Sequence, residues 1–147
     1  MRVEHVIHIA APPDVVWAVT QDVERWPEWS PTVTSVKRVD EGPFRLGSTA
    51  RIKQPLQPEA EWVVTEFVGG QRFAWETRRR GLYMKGTHEL SPDDAGTKSL
   101  LRVEAKGAAA ALLWPLLRIA MRRALSDENH GLKARCEQIA SAASPRP

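Results

Sequence analysis

The order of the predicted elements constrains the fold of this chain more than any other feature of its sequence. Residues 2–10 alternate in the manner of a strand, and residues 12–17, which begin Pro-Pro-Asp, open a helix. Residues 33–105 read almost wholly as strands separated by turns, and residues 108–143 have the composition of one long helix. A curved antiparallel sheet that is closed by a single long helix encloses a pocket. The order therefore predicts an α+β domain with an internal cavity.

Turn-forming residues divide the sheet region into short segments. The predicted strands are residues 3–9, 33–39, 48–53, 61–68, 72–77, 82–90 and 98–105. The connections are rich in Gly and Pro, as at Gly69, Gly70 and residues 92–96, which is typical of tight turns between antiparallel neighbours. Residues 22–29 predict a second short helix or turn after the first helix. The pattern favours an antiparallel meander.

The last predicted helix carries a stripe of residues at helical spacing. The stripe consists of Leu117, Met121, Leu125, Glu128, Leu132, Cys136 and Ile139. It is apolar except for Glu128, so we expect it to face the sheet. We also expect the helix to begin near Ala110 and to bend close to Trp114 and Pro115, because proline removes a helical hydrogen bond.

Composition and cysteine content indicate one globular domain in a reducing compartment. The chain has 147 residues, of which 42% are hydrophobic and 27% charged, so residues 1–140 suffice for a single domain. We expect residues 141–147 to fray. No apolar run approaches the length of a transmembrane helix, no signal peptide is recognisable, and Cys136 is the lone cysteine. These features predict a cytoplasmic protein.

The distribution of charge argues against a nucleic-acid binder. The net charge is +3, and the basic residues are dispersed apart from Arg78–Arg80 and the pair Arg122 and Arg123. Nucleic-acid binders usually concentrate basic residues on one face. The run at residues 78–80 ends a predicted strand at Gly81, where solvated charges are common, although an anion-binding patch is the alternative.

Several segments, in this order, resemble the START-like superfamily, also called SRPBCC. The matching segments are residues 11–17 (APPDVVW), 26–31 (WPEWSP), 66–75 (EFVGGQRFAW), Gly96-Thr97, and Leu132-Lys133 followed by Glu137. Within that superfamily the chain is most similar to the polyketide cyclase/dehydrase and lipid-transport group. No single motif is very specific, but their order and spacing cover nearly the whole chain.

The resemblance implies a helix-grip fold and a ligand cavity. In this fold a seven-stranded curved antiparallel sheet wraps around a long C-terminal helix, and two short helices follow strand 1. Members of the superfamily hold lipids, sterols, polyketides or plant hormones in the cavity, and some are polyketide aromatase/cyclases. Function must therefore come from the residues that line the cavity.

His88 is the best candidate for acid–base chemistry, followed by Glu66. Strand alternation places His88 on the same face as Met84 and Leu90, so it points into the cavity if that face is concave. Catalysis, contact with a polar ligand group, and a purely structural role all remain open for this histidine. Glu66 is inward if it shares a face with Trp62, but the opposite face of that strand is equally plausible.

Aromatic and apolar residues of several elements are the candidate ligand contacts. They are Trp26, Trp29, Trp62, Phe73, Trp75, Met84, His88, Trp114, Leu117 and Met121. Trp26 and Trp29 are expected either to close one end of the cavity or to pack beneath the short helix. Buried aromatic residues most often form core, so Phe73 and Trp75 are open between core and ligand contact.

The sequence leaves three function classes. The leading hypothesis is binding of a small apolar ligand between sheet and C-terminal helix, and the alternative is an aromatase/cyclase-type enzyme that uses the same pocket. A protein-interaction module is the third. Neither metal nor cofactor is expected, because zinc-type Cys pairs, His-Glu-x-x-His and Gly-rich phosphate loops are lacking. Apolar residues near Leu112 to Leu116 are a candidate homodimer contact.

Overall fold

The computed structural model describes residues 1–143 and shows a curved sheet packed against one long helix. The strands are β1 (Arg2–Ile9), β2 (Ser35–Arg38), β3 (Thr49–Lys53), β4 (Ala60–Val68), β5 (Arg72–Arg79), β6 (Leu82–Asp93) and β7 (Gly96–Lys106). The helices are α1 (Pro13–Gln21), a 3₁₀ helix (Val23–Glu28) and α2 (Ala108–Ala143). The predicted helix-grip fold with two short helices after the first strand is confirmed.

All seven strands form one antiparallel sheet in the order β1-β7-β6-β5-β4-β3-β2. Strands β2 to β7 are therefore a meander, and β1 closes the far edge by pairing with β7. The β6–β7 hairpin is tighter than the sequence predicted, because β6 continues through Pro92 to Asp93 and the turn is confined to Asp94 and Ala95. Asp94 adopts a positive φ of 38°, which a short polar side chain tolerates.

The long helix differs from the prediction at its first residue and in the face that it buries. It begins at Ala108 rather than near Ala110, includes Pro115, and continues to Ala143. Residues 141–143 of the predicted frayed tail, residues 141–147, are helical, and the other four residues of that tail lie outside the described residues. Ile139, the last member of the predicted inward stripe, is exposed, and Asn129 is buried in the helix face that contacts the sheet. The buried positions follow the helical spacing Leu125, Asn129, Leu132, Cys136, so the face is rotated slightly from the predicted one.

Asn129 fixes α2 to the edge of the sheet. Its Oδ1 accepts a hydrogen bond of 2.8 Å from Ser99 Oγ on β7, and its Nδ2 lies 2.9 Å from His5 Nδ1 on β1. The side chain is fully buried and its amide is satisfied on both sides, which makes a buried polar group compatible with a stable core. Burial and the neighbouring His130 lower the pKa of His5.

Gly131 allows α2 to pass close to the end of the 3₁₀ helix. A Cβ atom at this position would lie 2.1 Å from the carbonyl oxygen of Trp29, so only glycine fits without displacement of the backbone. Further along the helix, Lys133 donates to the carbonyl of His8, and Glu137 accepts from the Ala10 N–H at 2.8 Å. The second half of α2 is thus held against the end of β1.

The core consists of two clusters. The larger cluster joins α1, the 3₁₀ helix and the second half of α2 to the sheet, with Phe73, Val16 and Leu132 among its most buried members. The smaller cluster contains Val3, Leu101 and Leu125, with Trp114 packed against it. The space between these clusters is not filled by side chains, and it forms a cavity.

Candidate ligand-binding cavity

A cavity of about 380 Å³ lies between the inner face of the sheet and the middle of α2. Strands β3 to β7 supply one wall, and Leu117, Met121 and Leu125 of α2 supply the opposite wall. Gln57, in the β3–β4 loop, and Ala120 of α2 also line the space and are exposed, so the cavity reaches the protein surface between that loop and the helix.

Three indoles form an aromatic wall. Trp26 comes from the 3₁₀ helix, Trp62 from β4 and Trp75 from β5. The ring centroids of Trp26 and Trp75 are 5.3 Å apart, and those of Trp62 and Trp75 are 6.0 Å apart. The Trp26 N–H donates to the Thr20 carbonyl at 3.0 Å, which fixes the ring against α1. Rigid aromatic faces of this kind provide large apolar contact areas at little entropic cost.

Gly86 leaves room for the Trp75 ring. The two residues are direct cross-strand partners, and a Cβ atom at Gly86 would lie 3.4 Å from Cδ1 and Nε1 of Trp75. Glycine within a strand often marks a place where another group approaches the backbone closely. Here it lets the indole lie over β6 and keeps the floor of the cavity free of a side chain.

One polar pair lies in this apolar cavity. His88 Nε2 on β6 is 2.9 Å from Glu128 Oε1 on α2, and both residues line the cavity. Their side chains are only 9% and 13% exposed. The imidazole stacks on Phe73 with a ring separation of 4.6 Å, and the Trp26 ring lies 5.0 Å away. The pair therefore bridges sheet and helix at the polar end of the cavity.

The geometry defines which atoms of the pair can interact with a ligand. His88 Nδ1 is buried and has no hydrogen-bond partner among the described residues. When Nε2 donates its hydrogen to Glu128, Nδ1 carries the lone pair, so the carboxylate selects the tautomer of the ring. Glu128 has a second carboxylate oxygen and can accept a hydrogen bond from a ligand hydroxyl, or exchange a proton with a reacting group.

Comparison with known proteins places the chain in a family. The profile of the family described as "Polyketide cyclase / dehydrase and lipid transport" matches residues 1–137. The chain belongs to this family. No curated protein is similar enough in sequence to match it.

Solved structures of other proteins have the same fold at low sequence identity. A protein from Thermus thermophilus is 20% identical with a TM-score of 0.76, and the match covers 98% of this chain and 100% of that one. The Zhui aromatase/cyclase from Streptomyces sp. R1128 is 18% identical with a TM-score of 0.80 over 99% of both chains. A START superfamily protein from Mycobacterium smegmatis is 15% identical with a TM-score of 0.72, covering 94% and 98% of the chains. At these identities the similarity shows the shared fold.

The cavity of this polyketide cyclase/dehydrase family member contains most of the residues that the sequence singled out. The predicted residues that line it are Trp26, Trp62, Trp75, Met84, His88, Leu117 and Met121. The strand residues among them follow the predicted two-residue alternation, and the residues of α2 follow the predicted helical spacing.

Three predicted contacts lie outside the cavity wall, each for a packing reason. Phe73 is fully buried behind the His88 ring, so it supports the wall without reaching the space. Trp114 packs against the small core cluster around Leu101. Trp29 borders a separate outer groove between α1, the 3₁₀ helix and the end of α2, where Gly131 passes beneath it.

Glu66 does not point into the cavity. A β-bulge interrupts the register between β4 and β5 at Val64 and Glu66, and the alternation of faces shifts there. Trp62 and Val64 remain inward, whereas Glu66 pairs with Lys85 at 3.1 Å and its side chain is 43% exposed. The family member therefore has one carboxylate in its cavity, Glu128, among the described lining residues.

Glu128 and Gly86 are site residues for which the sequence predicted no functional role. Glu128 was visible as the single charged residue of an otherwise apolar helical stripe, and that interruption was the available signal. Gly86 was visible as a glycine in the middle of a predicted strand. Neither residue indicates a site until the residue that faces it is known. That residue is His88 for Glu128 and Trp75 for Gly86.

The cysteine of the chain takes no part in the cavity. Cys136 is fully buried in the second half of α2, and burial raises the pKa of its thiol to about 12. A thiol that stays protonated at neutral pH is a poor nucleophile. No helix among the described residues is long and apolar enough to cross a membrane.

Proposed function

We propose that this protein binds a small, largely apolar molecule in the cavity between sheet and α2, with a hydroxyl group of the ligand placed at Glu128. The observation that carries the proposal is a cavity of about 380 Å³ lined by three indoles and aliphatic side chains around a single His–carboxylate pair. Ligand sites are commonly concave, mostly apolar and provided with a few placed polar groups. The family membership supports the same class of function.

The wall chemistry favours a planar or polycyclic ligand over a flexible chain. Trp62 and Trp75 present rigid faces to one side of the space, and Met84 and Met121 are adaptable side chains that fill irregular contacts. Affinity comes from removal of apolar ligand surface from water, at about 25 cal/mol per Å². Trp62 Nε1 is a buried donor without a partner among the described residues, and an acceptor atom on a ligand would satisfy it.

A fluorescence titration with N-phenyl-1-naphthylamine tests whether the cavity is the binding site. We expect the wild type to enhance the emission of this uncharged probe, and Ala124→Phe to reduce its affinity by about tenfold or more, because the new ring fills the cavity. Ala134→Phe is the matched control, since Ala134 is exposed on the same helix. Equal affinities of the two variants would contradict the proposal.

The role of Glu128 is tested with a pair of probes of equal shape. We expect the wild type to prefer 2-naphthol over 2-methylnaphthalene by about tenfold, since a hydrogen bond to a charged group contributes roughly 1.5–3 kcal/mol. Glu128→Leu should remove this preference, and Asp127→Asn, at the neighbouring exposed acid, should keep it. A preference that survives Glu128→Leu would place the hydroxyl elsewhere.

A second candidate function is aromatase/cyclase-type catalysis in the same cavity. The His88–Glu128 pair favours it, because an imidazole oriented by a carboxylate can transfer protons during cyclisation or dehydration of a polyketide. Loss of turnover in His88→Ala with retained binding of the substrate would favour the enzyme. Retained function of the protein in vivo after that change would favour simple binding. The third hypothesis, a protein-interaction module, predicted little internal volume, and the cavity counts against it.

The proposal includes a cytoplasmic location. The lone, buried Cys136 is the supporting feature, because proteins of reducing compartments do not depend on disulfides. Fractionation of the native host, followed by detection of the untagged protein, tests the location, and recovery from an oxidising compartment would contradict it.

A further inference from the structure

The first half of α2 carries a row of exposed apolar residues. We call Leu112, Leu113, Leu116 and Ile119 the α2 ridge. Leu112, Leu116 and Ile119 are 81%, 71% and 66% exposed, and Leu113 is also exposed. Single exposed leucines are ordinary, but a contiguous group of them marks an interaction surface.

The α2 ridge cannot turn into the protein. Successive helical residues are rotated by about 100°, so Leu112, Leu116 and Ile119 fall within an arc of about 60°. Leu117 and Met121, on roughly the opposite side of the same turns, line the cavity. Rotation of the helix to bury the ridge would expose the cavity wall, so both faces of this helical segment are apolar.

Every charged residue in the segment that carries the ridge is basic. Residues 105–126 contain Lys106, Arg118, Arg122 and Arg123 and neither Asp nor Glu. Arg118 and Arg122 are exposed and form no ion pair with any described residue. Arg123 approaches Asp127 only at 4.0 Å. The ridge is therefore bordered by uncompensated positive charge.

A second group of basic residues lies at the beginning of α2. The carbonyl of Gly81 accepts a hydrogen bond of 2.9 Å from the Ala109 N–H, so the β5–β6 turn rests against the first turn of the helix. Arg78–Arg80 precede that turn in sequence. Arg78 and Lys106 both lie near the Tyr83 ring, at 5.0 Å and 5.7 Å from its centroid. We call residues 78–80 and Lys106 the cationic edge.

We propose that the α2 ridge docks on an anionic lipid surface. Leucine and isoleucine side chains enter the boundary between headgroups and acyl chains, and the cationic edge together with Arg118 and Arg122 contacts headgroup phosphates. Amphipathic helices with basic flanks bind membranes in this way, by apolar burial combined with attraction to anionic lipids. A second copy of the chain is a poorer partner, because self-association would bring these arginines together without an acidic residue in the segment.

Vesicle flotation tests the proposal. Wild-type protein is mixed with phosphatidylcholine vesicles that contain or lack phosphatidylglycerol. We expect it to float only with the anionic vesicles, and the bound fraction to fall as salt is raised. The double variant Leu112→Ser/Leu116→Ser, and separately Arg118→Glu/Arg122→Glu, should lose about tenfold or more of the affinity.

Matched variants control for the general effect of altered surfaces. Val39→Ser/Leu46→Ser removes two exposed apolar residues in the segment between β2 and β3, and Lys37→Glu/Lys98→Glu reverses two exposed charges on the sheet. Both should float like wild type. Circular dichroism verifies that every variant is folded. We expect folded variants because the substituted residues are exposed. Ala124→Phe should also float normally, so loss of cavity binding and loss of docking are distinguishable.

Two outcomes would overturn the proposal. The first is wild-type protein that stays with the aqueous fraction in the presence of anionic vesicles. The second is ridge variants that float as well as their controls. Sedimentation velocity then identifies the alternative, because a reversible dimer that the ridge variants dissociate would assign the ridge to a second copy of the chain.

Discussion

The two halves of α2, residues 108–124 and residues 125–143, have opposite relations to the protein interior, although the first half is much the more apolar of the two. In the second half, Leu125, Asn129, Leu132 and Cys136 are buried in the core. In the first half only Ala110 is buried, and the large aliphatic residues either line the cavity or are exposed. One helix is therefore a core element at one end and a cavity wall at the other. The amphipathic pattern alone does not distinguish these roles.

The difference arises from what each half contacts. The second half is fixed by Asn129 to β1 and β7, by the close passage of Gly131 past Trp29, and by Glu137 at the end of β1. The first half lies across an unfilled space. A cavity persists only if the surrounding frame is rigid enough to resist collapse, because empty apolar space forfeits dispersion contacts. We infer that the packed half provides that rigidity.

Truncation of a leucine should have very different effects in the two halves. Leu132→Ala removes a fully buried side chain and should lower the free energy of unfolding by about 2–5 kcal/mol. Leu116→Ala, on the exposed ridge, should change it by less than about 0.5 kcal/mol. Urea denaturation followed by circular dichroism measures both. Comparable losses would mean that the first half is packed in solution.

Neighbouring polar residues should differ in the same way. Asn129→Ala leaves Ser99 Oγ and His5 Nδ1 without their buried partner, so the free energy of unfolding should fall by about 1–3 kcal/mol. Glu128→Gln keeps a hydrogen-bonding oxygen beside His88, and its effect should stay under about 1 kcal/mol. Urea denaturation measures both changes. A larger loss of unfolding free energy in Glu128→Gln than in Asn129→Ala would mean that the His88–Glu128 pair is chiefly structural.

Gly131→Ala should destabilise the protein although alanine is the better helix former. Its Cβ would lie 2.1 Å from the Trp29 carbonyl oxygen, and overpacking of this kind costs about 1–3 kcal/mol. At the exposed Ala134, the opposite change to glycine should cost up to about 1 kcal/mol through helix propensity alone. Thermal unfolding compares the variants. An increase in stability for Gly131→Ala would show that α2 does not pass this closely in solution.

Acid should weaken the anchor at the end of α2. The Lys133 ammonium and the Ala10 N–H hold the pKa of Glu137 below its ordinary value. A carboxyl group with a lowered pKa in the folded state contributes stability above its unfolded pKa, about 4.3, and loses that contribution as the pH falls through the folded value. Wild type should therefore exceed Glu137→Gln in melting temperature at neutral pH, and the gap should close in acid. A gap that is independent of pH would contradict this assignment.

The fold was predictable from the sequence because its signals are local and repeated. Gly- and Pro-rich turns separate alternating strands, and the Pro-Pro-Asp entry marks α1. Each signal survives an error of a residue or two at an element boundary. The order of the elements then leaves few architectures, and the resemblance to the START-like superfamily selects one of them.

The site was less predictable because it depends on faces and on partners distant in sequence. The bulge at Val64 and Glu66 reverses the orientation of Glu66, and the sequence of β4 contains no residue that indicates a bulge. Phe73 and Trp75 are two residues apart on one strand, yet one supports the wall and the other lines it. Only the position of His88 relative to both decides this. Glu128 belongs to the stripe of α2 that was expected to face the sheet, but its partner His88 is 40 residues away in sequence, on β6.

Occupancy of the cavity is tested most directly by native mass spectrometry of gently purified wild type and Ala124→Phe. We expect the wild type to carry one small apolar molecule per chain, or to take up one stoichiometrically from lipid and polyketide mixtures, and we expect the filled variant to carry none. Extraction of that molecule would identify the ligand. Unshifted masses for both proteins after exposure to such mixtures would contradict ligand binding between the sheet and the first half of α2.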